Sequence, residues 1–261
     1  MRDDRLRRLL EVTVLGAGAL LSAGCGQGRQ PGTGSFSSNL YTSIAIADLN
    51  GDGNLDIASC YTVVSKGSNA HQGTVQVFLQ DPAHRGKFLA PANYPDGNDP
   101  FMIAVADLNG DGKPDIAVAD QGLPTTTTGV HVLLQDPSSP GTFEAPVDYA
   151  NGSGSTELVI ADIDGDGILD IAAASSPNVS VLFGSIALPG SFPTINNYPG
   201  NPGQAPFHQV PPQILWMAMG DIDRDGRPNI VFADDTGVSI RFQDPANPGR
   251  FLSAVTLVSS P

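Results

Sequence analysis

The chain has 261 residues, with 13 Lys and Arg against 27 Asp and Glu and a formal net charge of −14. That balance excludes a nucleic-acid binder, which needs a basic face for phosphate. Charged residues are only 15% and apolar ones 40%, so a disordered acidic chain is excluded too, and 30 Gly with 22 Pro fit many short strands joined by tight turns.

Residues 1–24 read as a removable export signal. Arg2, Arg5, Arg7 and Arg8 give it a basic start, and Val12 to Leu21 form an apolar run too short to span a bilayer. The sequence LSAGC, ending at Cys25, resembles the lipobox of bacterial lipoproteins, with Ser22 standing where that motif usually has Leu. The resemblance implies export across the inner membrane, lipidation of Cys25 and a place in the bacterial envelope, with the lipid as the one membrane attachment. An ordinary secretory signal is the alternative. Residues 25–33 then read as a flexible tether and 34–261 as the folded domain. Cys60 becomes a lone thiol, read as a small buried hydrophobe on a strand.

The domain repeats itself. Four acidic nonapeptides open at Asp48, Asp107, Asp162 and Asp221, at spacings of 59, 55 and 59 residues. A strand-like run precedes each loop (SIAIAD, MIAVAD, LVIAD, WMAMGD) and another follows it (DIASCY, DIAVAD, DIAAAS, NIVFAD). A third run alternates with period two, as in Val75, Val77 and Leu79, which marks a half-buried strand. The segments QDPAHRGKF, QDPSSPGTF and QDPANPGRF turn into a fourth, outer strand; the third repeat degrades this turn to GSIALPGSF. No helical period appears after the signal. Four-stranded antiparallel units at this period predict an all-β propeller of about four blades, either a closed small ring or an incomplete one. Gly34 to Tyr41 reads as a spare outer strand.

Positions 1, 3, 5 and 9 of the nonapeptide are Asp48, Asn50, Asp52 and Asp56, then Asp107, Asn109, Asp111 and Asp115. In the third copy they are Asp162, Asp164, Asp166 and Asp170, and in the fourth Asp221, Asp223, Asp225 and Asn229. So many carboxylates so close together repel one another unless a hard divalent cation sits between them. Ca²⁺ takes six to eight oxygens, and alternate side chains of a tight turn converge on one point. Position 7 (Asn54, Lys113, Ile168, Arg227) adds its backbone carbonyl, which leaves its side chain free to vary. Position 6 is always Gly, which permits the bend. Mg²⁺ prefers to keep its waters, and Zn²⁺ lacks Cys and His ligands here. An EF-hand needs a Glu at position 12, where this chain has Ser59, Val118, Ala173 and Phe232. The competing reading, a metal-free Asx-rich turn, fits one such loop better than four in the same strand–loop–strand context. About four Ca²⁺ ions are therefore expected.

Strand–DxNxDGxxD–strand, an alternating strand and a Gly-x-Phe turn together resemble the FG-GAP/VCBS repeat of integrin α-subunit heads and bacterial surface proteins. The resemblance covers residues 34–260. It implies propeller blades with Ca²⁺ in the hairpin joining the first two strands of each blade. Such propellers usually have seven blades, where this chain has four repeats.

The acidic loops and the Pro/Gly turns fall on one face of such a propeller. The irregular segments 61–73, 121–129 and 197–216 fall on the other, where loops on a rigid scaffold tend to carry function. Tyr61, Lys66, His71, Tyr198, Phe207, His208 and Trp216 are the candidate partner-binding residues there. His131 reads as a surface histidine. No catalytic residues are assigned: nucleophile-elbow and phosphate-loop motifs are absent, and Glu157, Asp96 and Asp99 are the few acids near the irregular face. The reading is a non-catalytic recognition module for a protein or glycan at the cell surface. The alternatives are a polysaccharide-active envelope enzyme and a purely structural repeat.

Overall fold

The computed structural model describes residues 38–64, 71–122, 129–151, 154–175, 177–200, 214–234 and 237–259. Sixteen strands lie within them, in four antiparallel sheets of four, and no helix occurs among the described residues. Sheet one holds β1 (Ser38–Ala47), β2 (Asp56–Val64), β3 (His71–Phe78) and β4 (Ala92–Pro95). Sheet two holds β5 (Pro100–Ala106), β6 (Asp115–Asp120), β7 (Gly129–Leu133) and β8 (Val147–Ala150). Sheet three holds β9 (Glu157–Ala161), β10 (Asp170–Ser175), β11 (Asn178–Phe183) and β12 (Thr194–Pro199). Sheet four holds β13 (Ile214–Gly220), β14 (Asn229–Asp234), β15 (Gly237–Arg241) and β16 (Val255–Ser259). Each is a simple meander, so each sequence repeat is one sheet.

Both faces of the middle strands are apolar because both are covered. In β6, Ile116 and Val118 face sheet one while Ala117 and Ala119 face sheet three. Three apolar cores fill the spaces between sheets one and two, two and three, and three and four. The inner strands β1, β5, β9 and β13 lie side by side in that order. Among the described residues no fourth core joins sheet four back to sheet one. The arrangement is therefore an open, propeller-like arc, and the closed small ring does not form. At its two ends Ile44 and Ile46 of sheet one and Ile222 of the fourth acidic loop are left exposed instead of packed on each other.

Residues 38–41 correct a second expectation. They belong to no separate outer strand but begin β1 itself, pairing with Tyr61 to Val64 of β2. A bulge between Tyr41 and Ser43 disguises the continuity, because it breaks the alternation there. Residues 34–37, the signal, the tether and Cys25 lie outside the described residues. Cys60 is buried and free, and burial pushes its thiol up to about 12, so it is an inert core side chain.

Candidate functional site

The four acidic loops share one backbone design. The position-1 carboxylate accepts backbone N–H groups from the turn it opens: Asp48 accepts from Gly51, Asp52 and Gly53 at 2.8, 3.1 and 2.8 Å. Asp107 does the same with Gly110, Asp111 and Gly112 at 2.8, 3.1 and 2.8 Å. Position 3 then accepts from position 5, as in Asp111 N–H to Asn109 Oδ1 at 2.9 Å, and position 5 accepts from position 7, as in Lys113 N–H to Asp111 Oδ1 at 2.9 Å. These local bonds are why Asp and Asn occupy alternate positions even before any ion is considered. They turn side-chain oxygens inward around one point. In the third loop, carboxylate oxygens of Asp162, Asp164 and Asp166 lie within 4.8 Å of one another, and so do those of Asp221, Asp223 and Asp225 in the fourth. Two oxygens bound to one Ca²⁺ at about 2.4 Å lie no more than about 4.8 Å apart, so this donor set fits that ion.

The turn needs two left-handed residues, one more than position 6 supplies. Position 4 is Gly51, Gly110 and Gly165 with φ of 76°, 75° and 80°, and in the fourth loop it is Arg224 at 62°. A side chain in that region is strained. Arg224→Gly is expected to raise stability by about 1 kcal/mol, seen as a melting-temperature rise of a few degrees, whereas an unchanged or lower value would contradict strain there.

Position 9 has a different duty from the other three. Asp115 is fully buried, and its two oxygens accept Leu108 N–H at 2.9 Å and Gln135 N–H at 2.8 Å. Asp56 holds Leu49 and Gln80 N–H, and Asp170 holds Ile163 and Gly184 N–H, in the same way. The carboxylate thus pins its loop to the end of the third strand. Burial pushes Asp115 and Asp170 each up to about 6, and the amide bonds only partly offset this. Asn229 accepts Gln243 N–H at 3.0 Å but turns its amide onto Asp223 Oδ1 at 3.0 Å, so a carboxylate oxygen of the fourth loop is engaged by a side-chain amide. Arg227 also pairs with Asp225.

A residue missed in the sequence ties the loops together. Gln135 donates Nε2 to the carbonyls of Pro114 in its own sheet (2.9 Å) and Leu49 in the sheet before (2.8 Å), and accepts Gly141 N–H through Oε1 (3.2 Å). Gln243 repeats this with Pro228, Ile163 and Gly249. Its signal was the Gln that opens three of the four QDP-type turns.

Residues 63–118 form an FG-GAP-like repeat. That FG-GAP-like repeat runs from the end of β2 through the second acidic loop into β6. No curated protein matches the chain. Among solved structures, it is similar to an Agrocybe aegerita lectin that recognises non-reducing terminal N-acetylglucosamine, at TM-score 0.47 and 17% identity over 87% of this chain and 68% of that one. It is also similar to the exotype rhamnogalacturonan lyase YesX, at TM-score 0.41 and 15% identity over 85% of this chain. The chain spans 48% of that lyase.

The opposite face is less uniform. Lys66, Phe207 and His208 lie outside the described residues. Tyr61 is half-buried and packs on Tyr41 with ring centroids 5.0 Å apart. His71 is half-buried with Nδ1 3.8 Å from Asp99, which accepts the Thr62 hydroxyl at 2.8 Å. Tyr198 is committed to packing between sheets: its ring meets Phe251 edge-on at 5.3 Å and its hydroxyl donates to the Gly249 carbonyl. Trp216 is exposed.

His131 is buried between sheets one and two, contrary to the surface position expected for it. Its outward-looking register points at the neighbouring sheet, a surface that sequence alternation cannot distinguish from solvent. Nδ1 lies 2.8 Å from Asp96, and Nε2 lies 3.9 Å from Asp120 and 3.7 Å from Asp148. Burial pulls the imidazole down, but the hydrogen bond and charge of Asp96, with Asp120 and Asp148, outweigh it and leave His131 raised. Asp120 also caps the incoming turn, accepting Asn98, Asp99 and Gly122 N–H. Gly97 is required here: a Cβ on it would collide with Asp120 Oδ2 at 1.7 Å.

Glu157 opens β9, and burial alone pushes its carboxyl from 4.5 to about 7. A raised acid favours the protonated folded state, so its cost is absent below about pH 4.5, accumulates between there and about pH 7, and is fully present above. Glu157→Gln is therefore expected to stabilise the protein by about 1–2 kcal/mol at pH 8, after discounting for partial exposure, and to change nothing at pH 4. Melts at both values check this; equal effects at the two would contradict it.

Proposed function

We propose that this chain is a calcium-stabilised recognition module, its metal loops bracing a propeller-like arc that presents irregular loops to a protein or glycan at a bacterial cell surface. The observation that carries the reading is the convergence of three carboxylates in each of the third and fourth loops, on a turn design the first two loops share. The side chains of positions 1, 3 and 5, the position-7 carbonyls of Asn54, Lys113, Ile168 and Arg227, and the second lone pairs of Asp56, Asp115 and Asp170 would hold the ions. A bound Ca²⁺ cancels the repulsion among these carboxylates and fixes the loop. The chain's own contribution is orientation, since the amide ladder holds the oxygens inward before an ion arrives. Integrin-like and VCBS-type behaviour, lipidation at Cys25 and an envelope location belong to this proposal, as does a non-catalytic role.

Calorimetry of the metal-stripped chain against Ca²⁺ tests the metal part. Asn229→Asp sharpens it. The new carboxylate frees Asp223 Oδ1 and adds an anionic ligand, so Ca²⁺ affinity at the fourth site should rise about tenfold. The same buried charge should cost about 1–2 kcal/mol in EDTA. Unchanged affinity, or a gain of stability in EDTA, would contradict the assignment. A glycan and surface-protein array probed with and without Ca²⁺ tests recognition. Depolymerisation of a polysaccharide by the purified chain would replace the module reading with the enzyme reading.

A further inference from the structure

The two ends of the arc are complementary. Every sheet has a back face, toward the sheet before it, and a forward face, toward the sheet after it. On the back face of sheet two, Ile103 and Val105 are buried at 2% and 6% exposure. By register they correspond to Ile44 and Ile46 of sheet one, each 51% exposed. On the forward side, the position-2 residue of each acidic loop plugs the next core: Leu49, Leu108 and Ile163 are 0%, 2% and 1% exposed. Their counterpart in sheet four, Ile222, is 51% exposed. Trp216, which occupies the place of buried Met102, is 49% exposed.

The polar contacts are incomplete in the same sense. Gln135 and Gln243 each reach back to the position-2 carbonyl of the preceding sheet, at 2.8 and 2.9 Å. Gln80 has its own-sheet partner, the Leu55 carbonyl, but among the described residues no sheet lies before it, and none lies after the Ile222 carbonyl. Likewise a Cβ at Gly141, Gly190 or Gly249 would strike the preceding sheet's third strand end and the position-3 residue of its acidic loop. At Gly86, in the first sheet, it would meet nothing within 4 Å.

We infer that a second copy of this chain docks head to tail, the forward face of sheet four against the back face of sheet one, by the contact that already recurs three times within the arc. It continues an established interface and joins two faces on which Ile44, Ile46, Ile222 and Trp216 are exposed where their counterparts inside the arc are buried. A pair joined at both junctions has eight sheets, within the usual range of four to eight for a propeller, and leaves no open apolar face. In that junction Gln80 of one copy meets the Ile222 carbonyl of the other, and Gly86 meets Asp223.

Light scattering and sedimentation velocity on the full chain test this, with Ile46→Lys and Ile222→Asp as variants. Both side chains are exposed in the single chain, so neither change disturbs a core; circular dichroism and the melting temperature confirm folding. In the recurring contact, the equivalents of Ile46 and Ile222, Val105 and Leu49, share one core. We expect twice the monomer mass for the parent chain and monomers for each variant alone. An equimolar mixture of the two should regain dimers, because one junction is then unaltered and the other pairs Lys with Asp. A parent monomer at tens of micromolar, open-ended assemblies, or a dimer that survives either substitution would overturn the inference. So would a mixture that stays monomeric.

Discussion

Millimolar Ca²⁺ is expected to raise the melting temperature of the metal-stripped chain by about 20 °C or more. A ligand that binds only the folded state stabilises it by about 2.7 kcal/mol per site at a hundredfold excess over its dissociation constant. Four equivalent sites give about 11 kcal/mol, and each kcal/mol moves the melting temperature of a domain this size by about 2–4 °C. The loops supply the reason for so large a term. Position 1 of each loop brings a carboxylate toward those of its neighbours, and in the third and fourth loops three of them converge within 4.8 Å. Without an ion those charges repel, so the metal-free fold carries the cost that binding removes. The fourth site, with Asn229 turned onto Asp223, should contribute least to that shift. Melts in EDTA and in 2 mM Ca²⁺ decide the matter, and coincident transitions would contradict the metal reading outright.

Removing the buried carboxylate of Asp115 is expected to destabilise the protein by about 2–6 kcal/mol even in EDTA, with its site's share of the Ca²⁺ stabilisation lost in addition when Ca²⁺ is present. The estimate follows from its two partners: Leu108 N–H and Gln135 N–H both lie in the interior, and each orphaned donor costs about 1–3 kcal/mol. Asp111, two turns of the ladder away, makes the contrast. It is exposed, so Asp111→Ala should cost less than about 1 kcal/mol in EDTA and instead abolish one site's share of the Ca²⁺ shift. Chemical denaturation of both variants, with and without Ca²⁺, separates the roles. A loss for Asp115→Ala that appears only in Ca²⁺ would make position 9 a plain ligand and remove its pinning role.

The acidic loops were legible in the sequence because their bonding is local. The backbone N–H bonds accepted by positions 1 to 5 span no more than five residues, so spacing alone carries the pattern. The four-stranded sheets were legible for a related reason: each is a meander, and adjacent runs in sequence pair in space. Position 9 looked like the others because its partner Gln135 comes twenty residues later, across a strand. His131 was misplaced since alternation reports which side a residue faces, not whether another sheet waits there. β1 lost its first turn of sequence to the bulge at Tyr41 and Ser43. Closure was the least legible feature. It depends on the angle between sheets, which is set by many side chains at three interfaces and by no single motif. What the sequence did hold, unrecognised, was the equivalence of Ile44 and Ile46 with Ile103 and Val105, visible only once register had aligned the repeats.

The central claim is that the four loops are calcium sites on this scaffold, and ion stoichiometry tests it most directly. Metal-stripped chain is equilibrated with Ca²⁺, and bound ion is counted per chain by titration calorimetry together with elemental analysis. The account predicts about four ions per chain, and one fewer in Asp164→Ala, whose side chain lies in the third loop and in no other. No binding at millimolar Ca²⁺, or a count that Asp164→Ala leaves unchanged, would contradict it.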